Sequence, residues 1–163
     1  MSVRKDREEI RIQRGLNELV SALRQGLADS LVAVVLFGSR ARGEAGEGSD
    51  WDLLVIARNL PPSAFQRHLK LKALLPVEWR GQTALVARTP TEFEAHVTSL
   101  MLDIALDGIV LYDSDRYAAD RLGRLKRLMT NRGLRRERIG RDFVWRWKQF
   151  PGFNWSLEWE DAR

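Results

Sequence analysis

Two aspartates at alternate positions, Asp50 and Asp52, precede the apolar run LLVIA and open a predicted β-strand. Aspartate is disfavoured in strands, and strand side chains two residues apart point to the same face. Two neighbouring carboxylates repel each other unless a cation lies between them. Mg²⁺ takes hard oxygen ligands and is usually held by one or two carboxylates together with substrate phosphates. We therefore predict that Asp50 and Asp52 are catalytic residues that hold Mg²⁺ (or Mn²⁺) against a phosphorylated substrate.

A Gly-Ser turn lies upstream of the aspartates, where a predicted buried strand ends. A helical turn starting at Ser39 would offer backbone N–H groups to an anion, and Arg40 and Arg42 could add charge-assisted hydrogen bonds. We predict that Gly38, Ser39, Arg40 and Arg42 bind a nucleotide, at a site for Mg-dependent phosphoryl or nucleotidyl transfer. The competing interpretation, a plain glycine-rich turn before an exposed strand face, explains each feature singly but not their combination.

Hydrophobic periodicity predicts the elements that position these residues. We expect strands at 31–37, 52–57, 82–88 and 109–112, and a first helix at 4–28. A second helix is capped by Ser63 and runs to residue 75, and a third begins at Thr89 or Thr91, runs through residue 106 and stops at Gly108. A basic helix capped by Ser114 or Asp115 runs to residue 131 and stops at Gly133. This order indicates an α/β or α+β fold with a small sheet.

Length and composition limit the function classes. The 163 residues suit one domain with a small appendage. No apolar run is long enough to cross a membrane, and the charged start MSVRKDREEIRIQR is unlike a signal peptide. The chain has no cysteine, which excludes disulfides and thiolate metal sites, and only two histidines, far apart, which disfavours a zinc centre. These features agree with a cytoplasmic protein.

The positive charge is concentrated near the C-terminus. Residues 116–148 hold twelve Arg or Lys and three acids, in a chain of net charge +5. Such a segment is typical of a surface that meets nucleic acid or an acidic partner, although an ordinary solvated helix face is the more common cause. Arg135, Arg136 and Arg138 are the candidate contacts to RNA or to a partner protein. Four of the six tryptophans follow residue 141; they could stack bases, but packing against the domain is favoured for at least two.

The spacing of the turn and the aspartates resembles a known family. Gly38-Ser39, ten intervening residues and Asp50-Trp51-Asp52 followed by LLVIA resemble the G-S…D-x-D signature of the DNA polymerase β-like nucleotidyltransferase superfamily. The likeness is greatest to its small members, the minimal nucleotidyltransferases (MNT), and it covers roughly residues 15–112. The stretch SLMLDIALDGIVLYDSD also resembles the end of such a domain.

The resemblance implies a mixed sheet flanked by helices, a divalent metal, and transfer of a nucleoside monophosphate from a nucleoside triphosphate, favouring ATP. By this resemblance Gly38 and Ser39 contact the triphosphate and Asp50 and Asp52 hold the metal. The acceptor is a protein, an RNA or a small molecule, and similar MNT proteins are antitoxins that modify a toxin of the HEPN class. We place the nucleotidyltransferase domain at 1–113 and a basic, Trp-rich extension at 114–163.

One departure from the family pattern concerns a third carboxylate, which family members usually carry on the next core strand. The predicted strand 82–88 contains no acid, and Thr83 or Ala84 occupies the expected place. Glu78 would replace it only if residues 76–80 belonged to the strand. Asp103 and Asp107 share a helix face; as a pair they could reach the site, but a position on the solvated side of the helix, or for Asp107 at its end, is the favoured interpretation. The alternative function is therefore a catalytically lapsed module that binds nucleic acid or a partner protein through its basic C-terminal region.

Overall fold

A four-stranded mixed sheet organises the chain, and the computed structural model describes residues 2–153 and 155–162. The strand order is β3-β2-β1-β4; β1 is antiparallel to β2 and β4, and β2 is parallel to β3. This confirms the mixed sheet flanked by helices. The elements are α1 (Ser2–Leu27), β1 (Leu31–Phe37), α2 (Gly38–Ala41), β2 (Trp51–Ala57), α3 (Ala64–Leu74), α4 (Val77–Arg80), β3 (Thr83–Arg88), α5 (Pro90–Ala95), α6 (Ser99–Asp107), β4 (Ile109–Asp113), α7 (Tyr117–Arg132), β5 (Leu134–Ile139) and β6 (Asp142–Trp147), with 3-10 helices at Ala28–Ser30 and Trp159–Ala162.

The two central strands are buried on both faces, which explains why their sequences are nearly continuous apolar runs. One face, including Val34 and Leu53, packs on α1 and α3. The other, including Val35 and Leu54, packs on α5, α6 and α7. Because side chains alternate along a strand, Trp51 lies on the α1 side of β2 and Asp52 on the α6 side.

The single helix predicted from Thr89 or Thr91 to residue 106 is wrong: the chain forms α5 and α6, separated by an extended break at residues 96–98. Thr89 begins α5 with a capping box that includes Glu92. Thr98 then has extended backbone angles, and its side chain accepts a hydrogen bond from the Met101 N–H, so a second N-cap starts α6. The predicted stop at Gly108 is confirmed.

The basic helix α7 is capped by a residue other than those predicted. Ser114 and Asp115 do not cap it; the Asp113 carboxylate, at the end of β4, accepts hydrogen bonds from the N–H groups of Ala118 and Ala119 at 2.8 and 2.9 Å. Left-handed backbone at residues 115 and 116 folds the chain back so that these groups meet. Gly133 ends the helix in the left-handed conformation, as predicted.

A two-stranded hairpin, β5–β6, follows α7 and is a feature that helical periodicity did not predict. Its strands are antiparallel, with Arg136 opposite Trp145 and Arg138 opposite Phe143.

The helix α7 belongs to the same hydrophobic cluster as β1 and α6, and Trp159 is buried in that cluster. Among the described residues, no helix is both long and apolar enough to cross a bilayer.

Candidate functional site

Asp50 and Asp52 lie at the start of β2, beside the end of β1. Asp52 is opposite Phe37 in the antiparallel register, and Gly38 comes next in the chain. A Cβ on Gly38 would lie 2.2 Å from Asp52 Oδ2, and the Gly38 φ of +73° is in the left-handed region. Glycine is therefore required at position 38 for two reasons. Its backbone angle is left-handed, and the Asp52 carboxylate packs against its Cα.

The Gly-Ser turn forms the short helix α2, as the sequence suggested. Its backbone is closed by hydrogen bonds from the Arg42 N–H to the Gly38 carbonyl at 3.2 Å and from the Glu44 N–H to the Ser39 carbonyl at 2.9 Å. The first N–H groups of any helix have no partner within it. The turn thus holds backbone donors next to the two carboxylates.

The electrostatics of the site depend mainly on Asp52. Burial is the largest influence and raises its pKa; the negative charge of Asp50 raises it further, while Arg42 and Arg40 lower it. Asp50 is exposed and Asp52 is half-buried. The structure therefore brings together Gly38, the two aspartates and both arginines. The Asp50 contribution to this raised pKa is a like-charge repulsion, which a cation between the carboxylates would relieve.

Arg40 has contacts within the loop. Its Nε and Nη2 donate to the Ser49 carbonyl at 3.0 and 2.5 Å, and its guanidinium lies 4.2 Å from the Trp51 ring centroid. Ser49 Oγ in turn accepts a hydrogen bond from the Gly46 N–H at 3.0 Å. Arg40 thus holds the loop immediately before Asp50.

A cavity of about 440 Å³ adjoins this loop on the α1 side, between Arg11, Trp51, Trp79 and Gly48. Arg40 also borders it. The buried Nε1 of Trp51 has no hydrogen-bond partner among the described residues. The cavity lies on the face of β2 opposite to Asp52, so the strand separates the cavity from that carboxylate.

Arg42 is held by groups distant in sequence. It pairs with Glu44 at 2.9 Å and with Asp107 at 3.5 Å, and its guanidinium lies 5.0 Å from the Phe143 ring centroid. Sequence reasoning missed Glu44 and Phe143 as neighbours of the site, and it considered Asp107 only as the less favoured alternative. The shared helix face of Asp103 and Asp107 was the only signal available, and it does not reveal their partners.

The position beside Asp52 on the next strand is an alanine. In the parallel register Trp51 is opposite Thr83 and Asp52 is opposite Ala84. Thr83 is buried and donates to the Trp79 carbonyl at 2.8 Å. Glu78 lies in α4, outside β3. Within residues 2–153 and 155–162, no group of three or more His, Cys, Asp or Glu side chains could hold a metal. The two aspartates fit a metal that takes its remaining ligands from water and substrate phosphates.

The hairpin separates the three arginines that the sequence grouped as contacts to nucleic acid or a partner. Arg136 is only 11% exposed and pairs with Asp107 at 2.7 Å and Asp103 at 3.1 Å. Arg138 pairs with Glu44. Arg135, on the opposite face of the hairpin, pairs with Glu137 at 2.7 Å. The favoured interpretation of Asp103 and Asp107 as solvated is wrong, because both bind Arg136. Asp107 does lie at the end of α6, and it lies 3.5 Å from Arg42 of the site.

Of the C-terminal tryptophans, Trp159 is buried and its Nε1 donates to the Phe93 carbonyl at 3.2 Å. Trp145 packs against the same cluster and donates to Asp103 at 3.2 Å. The expectation that at least two tryptophans pack against the domain is confirmed. Trp155 is 49% exposed and contacts the ring of Trp147.

Comparison with known proteins identifies relatives. The model of the family described as polymerase beta, nucleotidyltransferase, matches residues 17–117. The protein MJ1305 of Methanocaldococcus jannaschii, a candidate protein adenylyltransferase, is 33% identical over 116 residues, which cover 68% of this chain and 78% of the relative.

Among solved structures, a toxin–antitoxin complex crystallised with AMP-PNP has a TM-score of 0.51 at 21% identity, over 72% of this chain and 91% of that chain. A mutant of the toxin–antitoxin complex that contains MntA has a TM-score of 0.50 at 19% identity, with the same coverage of 72% and 91%. These two likenesses concern the fold.

Proposed function

This chain belongs to the polymerase beta nucleotidyltransferase family, and on that premise we propose that it transfers AMP from ATP to an acceptor protein in an Mg-dependent reaction. The observation that carries the proposal is the packing of the Asp52 carboxylate against Gly38, where a Cβ would come within 2.2 Å. This contact joins the Gly-Ser turn and the Asp-x-Asp pair into one site. The relationship to MJ1305, at 33% identity, supports a protein as the acceptor.

In the proposed site, Asp50 and Asp52 hold the metal, and the backbone of Gly38 and Ser39 contacts the triphosphate. A bound Mg²⁺ would supply charge neutralisation at the phosphates. Arg40 and Arg42 add positive charge next to Asp52, whose pKa they lower. Both arginines are already oriented, by Ser49 and by Glu44 and Asp107 respectively, so little ordering is needed when an anion binds.

The proposed reaction is an in-line displacement at the α-phosphorus. The acceptor oxygen forms a bond to this phosphorus while the bond to the bridging oxygen of the β-phosphate breaks and pyrophosphate leaves. The proton of the acceptor hydroxyl must be released. The β3 position opposite Asp52 is Ala84, which cannot take up that proton, so in this proposal the proton passes to water.

The acceptor we propose is a toxin of the HEPN class, as the resemblance to minimal nucleotidyltransferases implies. The fold likeness to two toxin–antitoxin complexes, one of them crystallised with AMP-PNP, supports a nucleotide-dependent role with a protein partner.

A second candidate function is a lapsed nucleotidyltransferase that binds nucleic acid or a partner through its C-terminal region. Ala84 at the register position of Asp52 favours it. The pairing of Arg136 and Arg138 with acids of the same chain weighs against a nucleic-acid surface built from these residues.

The two functions are distinguished by labelled ATP. We would incubate the chain, Mg²⁺ and a purified HEPN-type protein from the same genome with ATP labelled at either the α- or the γ-phosphate. The proposal predicts that only the α-label is retained by the acceptor and that the double variant Asp50→Asn, Asp52→Asn retains none. Absence of α-label transfer, together with salt-sensitive nucleic-acid binding that ignores ATP and Mg²⁺, would favour the lapsed module.

A further inference from the structure

The inner face of the β5–β6 hairpin alternates arginine and aromatic side chains. Because strand side chains alternate, every second residue of β5 and β6 lies on this face, which points to the domain. Its neighbours across the ladder include Arg136 opposite Trp145 and Arg138 opposite Phe143. The outer face carries Arg135 and Arg146, which share the carboxylate of Glu137 at 2.7 and 2.8 Å. The hairpin therefore has one face for the domain and one for solvent.

A partly buried ionic network anchors the hairpin to α6. Arg136 donates to both oxygens of Asp107 at 2.7 and 2.8 Å and to Asp103 at 3.1 Å. Trp145 Nε1 donates to the same oxygen of Asp103 at 3.2 Å. Bidentate arginine–carboxylate pairs fix geometry as well as adding energy, and Arg136 and Asp107 are only 11% and 14% exposed. The network holds the hairpin in one orientation relative to α6.

From this anchor, the hairpin reaches the loop that precedes Asp50. The Phe143 ring lies 5.0 Å from the Arg42 guanidinium and 4.6 Å from that of Arg138. Arg138 also pairs with Glu44, and Glu44 pairs with Arg42 at 2.9 Å. Asp107, which holds Arg136, also lies 3.5 Å from Arg42. Arg42 is thus held by Glu44, by Asp107 and by Phe143.

We propose that the β5–β6 hairpin is a positioning element of the nucleotide site, acting through Arg138 and Phe143 on Glu44 and Arg42. This inference rests on the proposed function. The hairpin lies outside residues 17–117, the part that matches the family model. A flexible arginine that is already oriented loses less conformational freedom when it meets a phosphate. Loosening the hairpin should therefore weaken nucleotide binding without touching the aspartates.

The test compares Arg138→Gln with Arg146→Gln. Both remove one positive charge from the hairpin, both residues have one carboxylate partner, and their side chains are 48% and 55% exposed. They lie on opposite faces of the hairpin, so only Arg138 reaches the loop that precedes Asp50. We would titrate AMP-PNP with Mg²⁺ by calorimetry and expect Arg138→Gln to raise Kd about tenfold, the scale typical of losing a group that orients a ligand-binding residue. Arg146→Gln should match the wild type.

A double-mutant cycle separates positioning from general loss of structure. Glu44→Gln should raise Kd as Arg138→Gln does, and the combined variant should be no weaker than the worse single variant, because both break the same link. In the transfer assay, Arg138→Gln should raise KM for ATP and leave kcat unchanged. Hydrogen exchange should show faster opening of residues 43–49 in Arg138→Gln than in Arg146→Gln.

The outcomes separate this inference from the function it rests on. If the wild type binds Mg-dependent AMP-PNP and the two arginine variants have equal Kd, the hairpin inference is overturned and the proposed function stands. Additive effects of Arg138→Gln and Glu44→Gln on the binding free energy would also overturn it. So would a fall in kcat with no change in KM for ATP. If the wild type binds no AMP-PNP, the proposed function and this inference fail together.

Discussion

Replacing Gly38 with alanine should separate the Gly-Ser turn from the carboxylates while leaving both aspartates in the sequence. Two effects add. The Gly38 φ of +73° is left-handed, which costs a non-glycine residue about 1–2 kcal/mol and, in a chain of this size, roughly 2 to 8 °C in Tm. The new Cβ would also lie 2.2 Å from Asp52 Oδ2, so the carboxylate must move by about 1 Å to reach ordinary contact.

Gly43→Ala is the matched control for this prediction. Its φ is +70° and nothing lies within 4 Å of a Cβ placed there, so it has the same backbone strain without the clash. Both variants should lose Tm in calorimetry because of the backbone strain they share, and the loss in Gly38→Ala should be at least as large as that in Gly43→Ala. A displacement of about 1 Å in a catalytic group can cost about 100-fold in rate, so kcat/KM for α-label transfer should fall about 100-fold further in Gly38→Ala than in Gly43→Ala. Equal kcat/KM in the two variants would refute the reasoning that the glycine makes room for Asp52.

The other predictions concern stability and its pH dependence. The raised pKa of Asp52 means that ionising this group destabilises the folded state, so stability from this group falls as pH rises from 3.8 through the raised pKa. Asp52→Asn should therefore have a higher Tm than the wild type at neutral pH. The difference in Tm should vanish below pH 3.8, the ordinary pKa of an aspartate, and a difference that stays constant with pH would contradict this. Arg136→Met removes the arginine partner of Asp103 and Asp107, which keep only the Trp145 N–H and the more distant Arg42, and should lower the free energy of unfolding in urea by about 1–3 kcal/mol; a loss near zero would count against the network. Thr98→Ala removes the N-cap of α6 and should cost about 1 kcal/mol in the same assay, whereas Thr130→Ala, whose hydroxyl donates within α7, should cost less.

The sheet and the turn before Asp50 could be predicted because their signals are local. The predicted strand at 31–37 matches β1, and the predicted starts of β2 and β3 differ from the observed ones by a single residue. Buried strands need short apolar runs, and the glycine and aspartates stand at the ends of such runs. The predicted strand 82–88 contains no acid, so the absence of a β3 carboxylate could be read from the sequence, whereas the choice of Ala84 over Thr83 as the residue opposite Asp52 needed the observed register.

The position of the hairpin against the domain could not be predicted because the contacts that fix it are distant in sequence. Arg136 and Asp107 are 29 residues apart, and Arg138 and Glu44 are 94 apart. A count of basic residues treats neighbouring arginines alike, whereas the strand period places Arg136 and Arg138 on one face and Arg135 on the other. The break before α6 was missed for a related reason: Thr98 fits a helix interior as well as a cap, and tertiary packing decides between them.

If Asp50 and Asp52 hold a metal and, with the Gly-Ser turn, a triphosphate, calorimetry should show it. We would titrate ATP, with and without Mg²⁺, into the wild type and into the double variant Asp50→Asn, Asp52→Asn. We expect Mg-dependent binding to the wild type and none to the variant, which should remain folded. Equal affinity of the two proteins for ATP and Mg²⁺, or no binding by the wild type, would contradict this expectation.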